Sequence, residues 1–149
     1  MEIERKFLVN RDLWNGIKKP IGKEIRQGYF ISNEHFSVRV RTKGKKAFFT
    51  VKGTLEGIAR DEYEYEIPFN DALEMLEKYA SPYLEKTRYE IEFAGKTWEI
   101  DEFHGSLSPL VLAEVELESV DEEVQLPDWV MNEVSTDPYY FNSEIVKRL

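Results

Sequence analysis

Glu2, Glu4 and Lys6 alternate at the start of the chain, and the same spacing of ionisable groups keeps returning. Arg39 and Arg41 repeat it, as do Thr50 with Lys52, and Arg60, Glu62, Glu64 and Glu66. Lys86, Arg88, Glu90 and Glu92 follow, then Glu99 with Asp101, and Glu114, Glu116 and Glu118. In an extended strand, residues two apart share a face. The intervening positions hold residues such as Ile3, Phe7, Val38, Val40, Tyr89, Ile91, Trp98, Ile100, Val115 and Leu117. A single face crowded with Lys6, Arg39, Arg41, Lys52, Lys86 and Arg88 calls for a compact polyanion, because guanidinium forks match phosphate oxygens in pairs. The carboxylates beside them cannot touch that anion. They can hold Mg²⁺ or Mn²⁺, hard cations that take oxygen ligands and bridge to phosphates. Together the two sets imply a metal–polyphosphate complex.

The elements that must carry these ladders are strands near 2–9, 24–33, 36–42, 46–53, 58–67, 83–93, 96–102 and 111–118, bounded by Gly, Pro, Asn and Ser. Thr42-Lys43-Gly44-Lys45 and Phe93-Ala94-Gly95-Lys96 read as hairpin turns, so neighbouring strands are expected to be antiparallel. Helices are expected near 11–18 after Asn10, near 71–80 with Asn70 as N-cap, and near 127–133 from Pro127, with a further turn in 143–149. A flat sheet with one wet face is the simplest arrangement of such strands. It does not explain why acids gather on some strands and basic pairs on others. Closing about eight strands into a barrel, ladders inward, gives a lumen wide enough for one small ligand. The expected fold is therefore α+β, mainly β: an eight-stranded antiparallel closed barrel with a charged lumen and a few flanking helices.

The whole chain, 1–149, reads as one domain. It has no cysteine, which excludes disulfides, thiolate nucleophiles and zinc knuckles. His35 and His104 are its only histidines, too few for a multi-histidine metal site, and both are expected to be structural. Ser106 and Ser108 form no triad with them, and no P-loop occurs. The net charge of −9 argues against nucleic acid as a partner. No apolar run approaches a membrane span, and MEIERK is no signal peptide, so a cytoplasmic location is expected.

These motifs are similar to one known family. Glu2-Ile3-Glu4-Arg5-Lys6 resembles the ExExK signature of the CYTH domain, the triphosphate tunnel metalloenzymes. Gln27-Gly28-Tyr29, Arg39-Val40-Arg41, Thr50-Val51-Lys52-Gly53, Lys86-Thr87-Arg88 and Glu114-Val115-Glu116 follow in order, and Thr136-Asp137-Pro138-Tyr139 with Asn142 resembles the tail of short bacterial members. The resemblance implies a divalent-metal-dependent triphosphatase, most like the short inorganic triphosphatases that cleave tripolyphosphate to pyrophosphate and phosphate. It makes Glu2, Glu4, Glu114 and Glu116 metal ligands, and Lys6, Arg39, Arg41, Lys52, Lys86 and Arg88 phosphate ligands. Tyr29 and Lys52 resemble a catalytic dyad of short members, in which the lysine helps deprotonate water through its neighbour. Glu62 and Asp101 could hold a second metal or balance charge behind the cations. Adenylate cyclisation, hydrolysis of thiamine or nucleoside triphosphates, and a non-catalytic polyphosphate-binding module remain alternatives. The oligomeric state stays open, a homodimer being one option.

Overall fold

Two tight turns start the sheet. Gly44 (φ 59°) joins β3 (Phe36–Lys43) to β4 (Lys46–Gly53), and Ala94 with Gly95 (φ 49° and 80°) joins β7 (Leu84–Phe93) to β8 (Lys96–Phe103). Left-handed backbone at Gly44, and at both central positions of the second turn, gives the twist that antiparallel hairpins need. The computed structural model describes all 149 residues. Its remaining strands are β1 (Glu2–Val9), β2 (Lys23–Ser32), β5 (Ala59–Arg60), β6 (Glu62–Ile67), β9 (Val111–Glu116) and β10 (Val130–Glu133). Three short helices accompany them: α1 (Arg11–Asn15), α2 (Phe69–Lys78) and α3 (Asn142–Ile145).

The antiparallel ladder runs β1-β9-β8-β7-β2-β3-β4-β6. Only Asp61 separates β6 from β5, and β5 pairs back onto β1 through Glu2↔Arg60 and Ile3↔Ala59. The ring is thus closed. With β5 and β6 as one interrupted strand and β10 outside the ring, eight strands build the barrel. β10 takes the far end of the same β1 edge, pairing Phe7↔Glu133 and Val9↔Val130.

The apolar faces of the ladders point outward and are covered in two places. Phe7, Trp98, Ile100 and Val115 pack with Trp14 of α1 and Trp129. Val40 and Ala47 pack under Ala72, Leu76 and Ala80 of α2 and its end. Gly28 makes the second packing possible, since a Cβ there would lie 2.3 Å from the Ala80 carbonyl oxygen. No helix is long and apolar enough to cross a membrane.

The eight expected strands fall within two residues of their observed ends, with one interrupted at Asp61. The expected helix at 127–133 is corrected: Val130–Glu133 is strand β10. The open edge of β1 offers backbone partners there, and they outweigh the weak helical pattern. The first helix is also shorter than expected, ending at Asn15; Asn10, just before it, caps it by accepting from Leu13 N. α2 opens after Pro68 rather than at Asn70. Proline already has the extended φ that precedes a first helical turn.

Candidate active site: the charged lumen

Because the ladders face inward, most of their ionisable groups converge on one cavity of about 170 Å³, although Glu66, Glu90, Glu92 and Glu118 do not reach it. Its 20 lining residues include only two hydrophobic ones, so the space is built for a charged guest. Glu2, Glu4, Lys6, Tyr29, Arg39, Arg41, Lys52, Glu62, Lys86, Arg88, Glu114 and Glu116 all line it. Asp101 does not. It lies beneath Lys86 and Arg88, which take both its oxygens.

The β7–β8 wall is the most tightly tied. Arg88 grips Asp101 with both arms of its fork, Nε to Oδ1 at 2.8 Å and Nη2 to Oδ2 at 2.9 Å. Lys86 Nζ meets the same Oδ2 at 2.9 Å. Burial works against Asp101 ionising, but Arg88 and Lys86 overcome it and hold the carboxyl far below its ordinary value. Burial also pushes Lys86 down to about 8, even with Asp101 beside it. Glu114 bridges to Lys6 at 3.6 Å and Arg88 at 3.9 Å, and these cations hold it at about 2 against the effect of burial.

The opposite wall is looser. Arg39 and Arg41 share one oxygen of Glu64, at 3.3 and 3.4 Å. Burial, then the neighbouring Arg39 and Arg88, lower Arg41 to about 10. Lys52 Nζ donates to both oxygens of Glu2 at 3.1 Å and lies 3.3 Å from Glu62. Arg60 completes this group, 3.3 Å from Glu2. Lys52 therefore turns to carboxylates, and no hydrogen bond joins it to Tyr29, whose hydroxyl accepts from Gln27 Nε2 at 2.8 Å.

The carboxylates suit a hard divalent cation by their chemistry, since every donor is oxygen. Glu4↔Glu116 and Lys6↔Glu114 are cross-strand neighbours on β1 and β9. Glu4 is raised to about 8, first by burial and then by the negative charges of Glu114 and Glu2. Positive charge is short at that point, where a cation would supply it. No three carboxylates are yet gathered round one point. Glu2 is drawn toward Lys52 and Glu114 toward Lys6 and Arg88.

Three groups of lining residues had no role in the sequence reading. Arg60, Glu64 and Glu99 stand on the inward ladders, so alternation already placed them. Lys43 continues the Arg39–Arg41 spacing, one residue past the expected strand end. Phe141, Asn142 and Ser143 come from the C-terminal segment, which no periodicity points inward. There the Tyr140 carbonyl accepts from Lys6 Nζ at 3.0 Å, and Asn142 Oδ1 from Lys86 Nζ at 2.9 Å. The segment is anchored by Ile145 and Val146 on Leu84, Phe103 and Leu112. Those three continue the ladders of Lys86, Asp101 and Glu114, so the inward face turns apolar where the segment covers it. His35 and His104 lie away from the lumen; His104 Nε2 meets Thr87 Oγ1 at 2.7 Å.

A closed barrel whose lumen interleaves lysines and arginines with carboxylates defines a tunnel protein suited to a charged, polyanionic guest. The chain matches the CYTH domain over residues 1–148, and it belongs to that family. It is 48% identical to an inorganic triphosphatase of Acetivibrio thermocellus over 98% of this chain and 93% of that one. An inorganic triphosphatase of Nitrosomonas europaea is 35% identical, over 97% and 95% of the two chains. A crystal structure of an inorganic triphosphatase superposes with a TM-score of 0.68 at 32% identity, covering 98% of this chain and 94% of that one. A Pyrococcus horikoshii protein at 22% identity, TM-score 0.62, shares the fold over 81% and 80% of the two chains.

Proposed function

We propose that the protein is a divalent-metal-dependent hydrolase that cleaves inorganic tripolyphosphate to pyrophosphate and phosphate. One observation carries this reading: Lys6, Arg39, Arg41, Lys52, Lys86 and Arg88 line a single cavity together with Glu2, Glu4, Glu114 and Glu116. The two inorganic triphosphatase relatives, which span almost the whole chain, support it. Arg39, Arg41, Lys6, Lys86 and Arg88 hold the phosphoryl oxygens and offset the charge that builds up on them as the anhydride breaks. Asp101 positions Lys86 and Arg88, which cannot turn while both its oxygens are engaged.

Glu2, Glu4, Glu114 and Glu116 would hold the cation, Mg²⁺ or Mn²⁺, with Glu62 beside Glu2 for a second ion. When bound, such an ion acts as a Lewis acid toward the phosphoryl oxygens. With Glu2 engaged by the cation, Lys52 would lose that carboxylate partner. Lys52 and Tyr29 would then assist in deprotonating the attacking water.

The test is turnover of tripolyphosphate, ATP and thiamine triphosphate, with and without Mg²⁺ or Mn²⁺. Metal-dependent release of phosphate from tripolyphosphate, well above that from the other two, is expected. Preferred cleavage or cyclisation of ATP would overturn the reading, as would binding of tripolyphosphate without turnover.

A further inference from the structure

Glu64 has no part in the mechanism above, yet it occupies the centre of the arginine pair. A single oxygen, Oε2, accepts from Arg39 Nη2 at 3.3 Å, Arg41 Nη2 at 3.4 Å and Thr50 Oγ1 at 2.8 Å. The match is incomplete. The Nε atoms of both arginines are buried with no hydrogen-bond partner, although the two residues are only 6% and 9% exposed. The forks thus present more donors than one carboxylate oxygen uses. A phosphoryl group, with three peripheral oxygens and more charge, can engage donors that the carboxylate leaves idle.

Glu64 is also free to leave. It stands on β6, two strands from β3, through the pairs Arg39↔Thr50 and Thr50↔Glu64. Its side chain is 30% exposed, against 2% for Asp101 on the other wall. Burial disfavours its charge, but Arg41, Thr50 and Arg39 keep the carboxyl below its ordinary value, so it is an anion at neutral pH.

We propose that Glu64 is a resident stand-in for a phosphoryl group and a specificity-determining residue: a ligand reaches Arg39 and Arg41 only by displacing it. The inference rests on the reading of the lumen as a triphosphate site. A lone phosphate must overcome this carboxylate with few other contacts. Tripolyphosphate is held at the same time by Lys6, Lys86 and Arg88, and those contacts offset the displacement. The carboxylate therefore turns away orthophosphate and helps products leave, while admitting the longer chain.

Glu64→Gln tests this, because glutamine keeps the shape and still accepts from Thr50 while losing the charge. Calorimetric titration with orthophosphate, pyrophosphate and tripolyphosphate, in EDTA and again with Mg²⁺, is compared with wild type, and a melting curve checks folding. Orthophosphate and pyrophosphate should bind about tenfold more tightly to the variant, since a facing like charge has been removed. Tripolyphosphate should gain less. In turnover, KM should fall and product inhibition deepen, with a smaller change in kcat. Thr50→Val, which unpins Glu64, should move affinities the same way by less. Unchanged or weaker orthophosphate binding in Glu64→Gln would overturn the proposal. So would a loss of kcat together with a raised Mg²⁺ requirement, which would make Glu64 a metal ligand. Failure of the wild type to bind tripolyphosphate even with Mg²⁺ would overturn the functional reading and this inference with it.

Discussion

The two walls of the lumen use the same chemistry to opposite ends. On β7–β8, Lys86, Arg88 and Asp101 meet at 2.8–2.9 Å, with side chains 1%, 7% and 2% exposed. On β3, β4 and β6, Arg39 and Arg41 meet Glu64 at 3.3 and 3.4 Å, with the Glu64 side chain 30% exposed. A buried pair with every donor and acceptor engaged is costly to disturb, so it fixes geometry. A longer, partly solvated contact with idle donors can be exchanged for a ligand. The difference teaches that one wall holds its cations in a fixed geometry, whereas the other holds them through longer, partly solvated contacts.

Breaking the tight wall should have the largest effect. Asp101→Asn leaves Lys86 and Arg88 buried beside a neutral amide. Removing one partner of a buried pair costs about 3–5 kcal/mol, so Tm should fall by roughly 10 °C. Denaturation and kcat/KM should both show the loss. A variant with wild-type stability would erase the contrast between the walls.

The carboxylate cluster should separate activity from stability. Glu4→Gln or Glu116→Gln removes an anionic ligand but little volume, so activity should drop by orders of magnitude while the fold survives. For Glu4→Gln the metal-free protein should melt no lower than wild type, because the group whose ionisation is disfavoured by burial and by Glu114 and Glu2 is gone. Normal turnover in Mg²⁺ would reject Glu4 as a ligand.

On the loose wall, Arg41→Lys keeps the charge and loses the fork. About a tenfold fall in kcat/KM is expected, less than for Arg41→Ala. Equal rates for lysine and arginine would mean that a diffuse positive field suffices there.

A smaller effect is the pH dependence of the metal-free protein. Glu4 titrates near 8 in the fold against an ordinary 4.5. Between those values the folded chain holds a proton that the unfolded chain has lost, so this group lowers stability as pH rises through the window. Lys86, near 8 against 10.5, works the other way above pH 8, where the unfolded chain binds the extra proton. Melting in EDTA from pH 5 to 8 should show the decline, and Glu4→Gln should flatten it. Calorimetry of Mg²⁺ binding near pH 7 in buffers of different ionisation enthalpy should reveal proton release. A pH-independent Tm in this range would place Glu4 in a less negative setting than its neighbours suggest.

The smallest change is Tyr29→Phe, which should lower kcat several-fold and leave tripolyphosphate affinity unaltered. Reduced affinity with unchanged kcat would make Tyr29 part of the binding wall.

The strands, the face each residue shows and the family were legible in the chain itself. Alternation is local: the pleat sends neighbouring side chains to opposite sides whatever the partner strand, so Glu2, Glu4 and Lys6 share a face before any contact forms. Turn chemistry at Gly44 and Gly95 is local too. Which charges meet is another matter. Asp101 and Glu64 belong to ladders of the same kind, yet one is sealed beneath Lys86 and Arg88 and the other rests across an arginine pair from another strand. Closure through Glu2↔Arg60, the strand at Val130–Glu133, and the Lys6–Tyr140 and Lys86–Asn142 contacts join residues far apart in sequence. Those partners are selected by the stagger of strands around the barrel and by the apolar end on which Ile145 and Val146 settle. Residue types and spacing determined that this chain would gather lysines, arginines and acids on common strand faces. Only the closed barrel decided which of them are locked together and which are left to exchange, because burial and distance, set between strands, govern the strength of every charge pair.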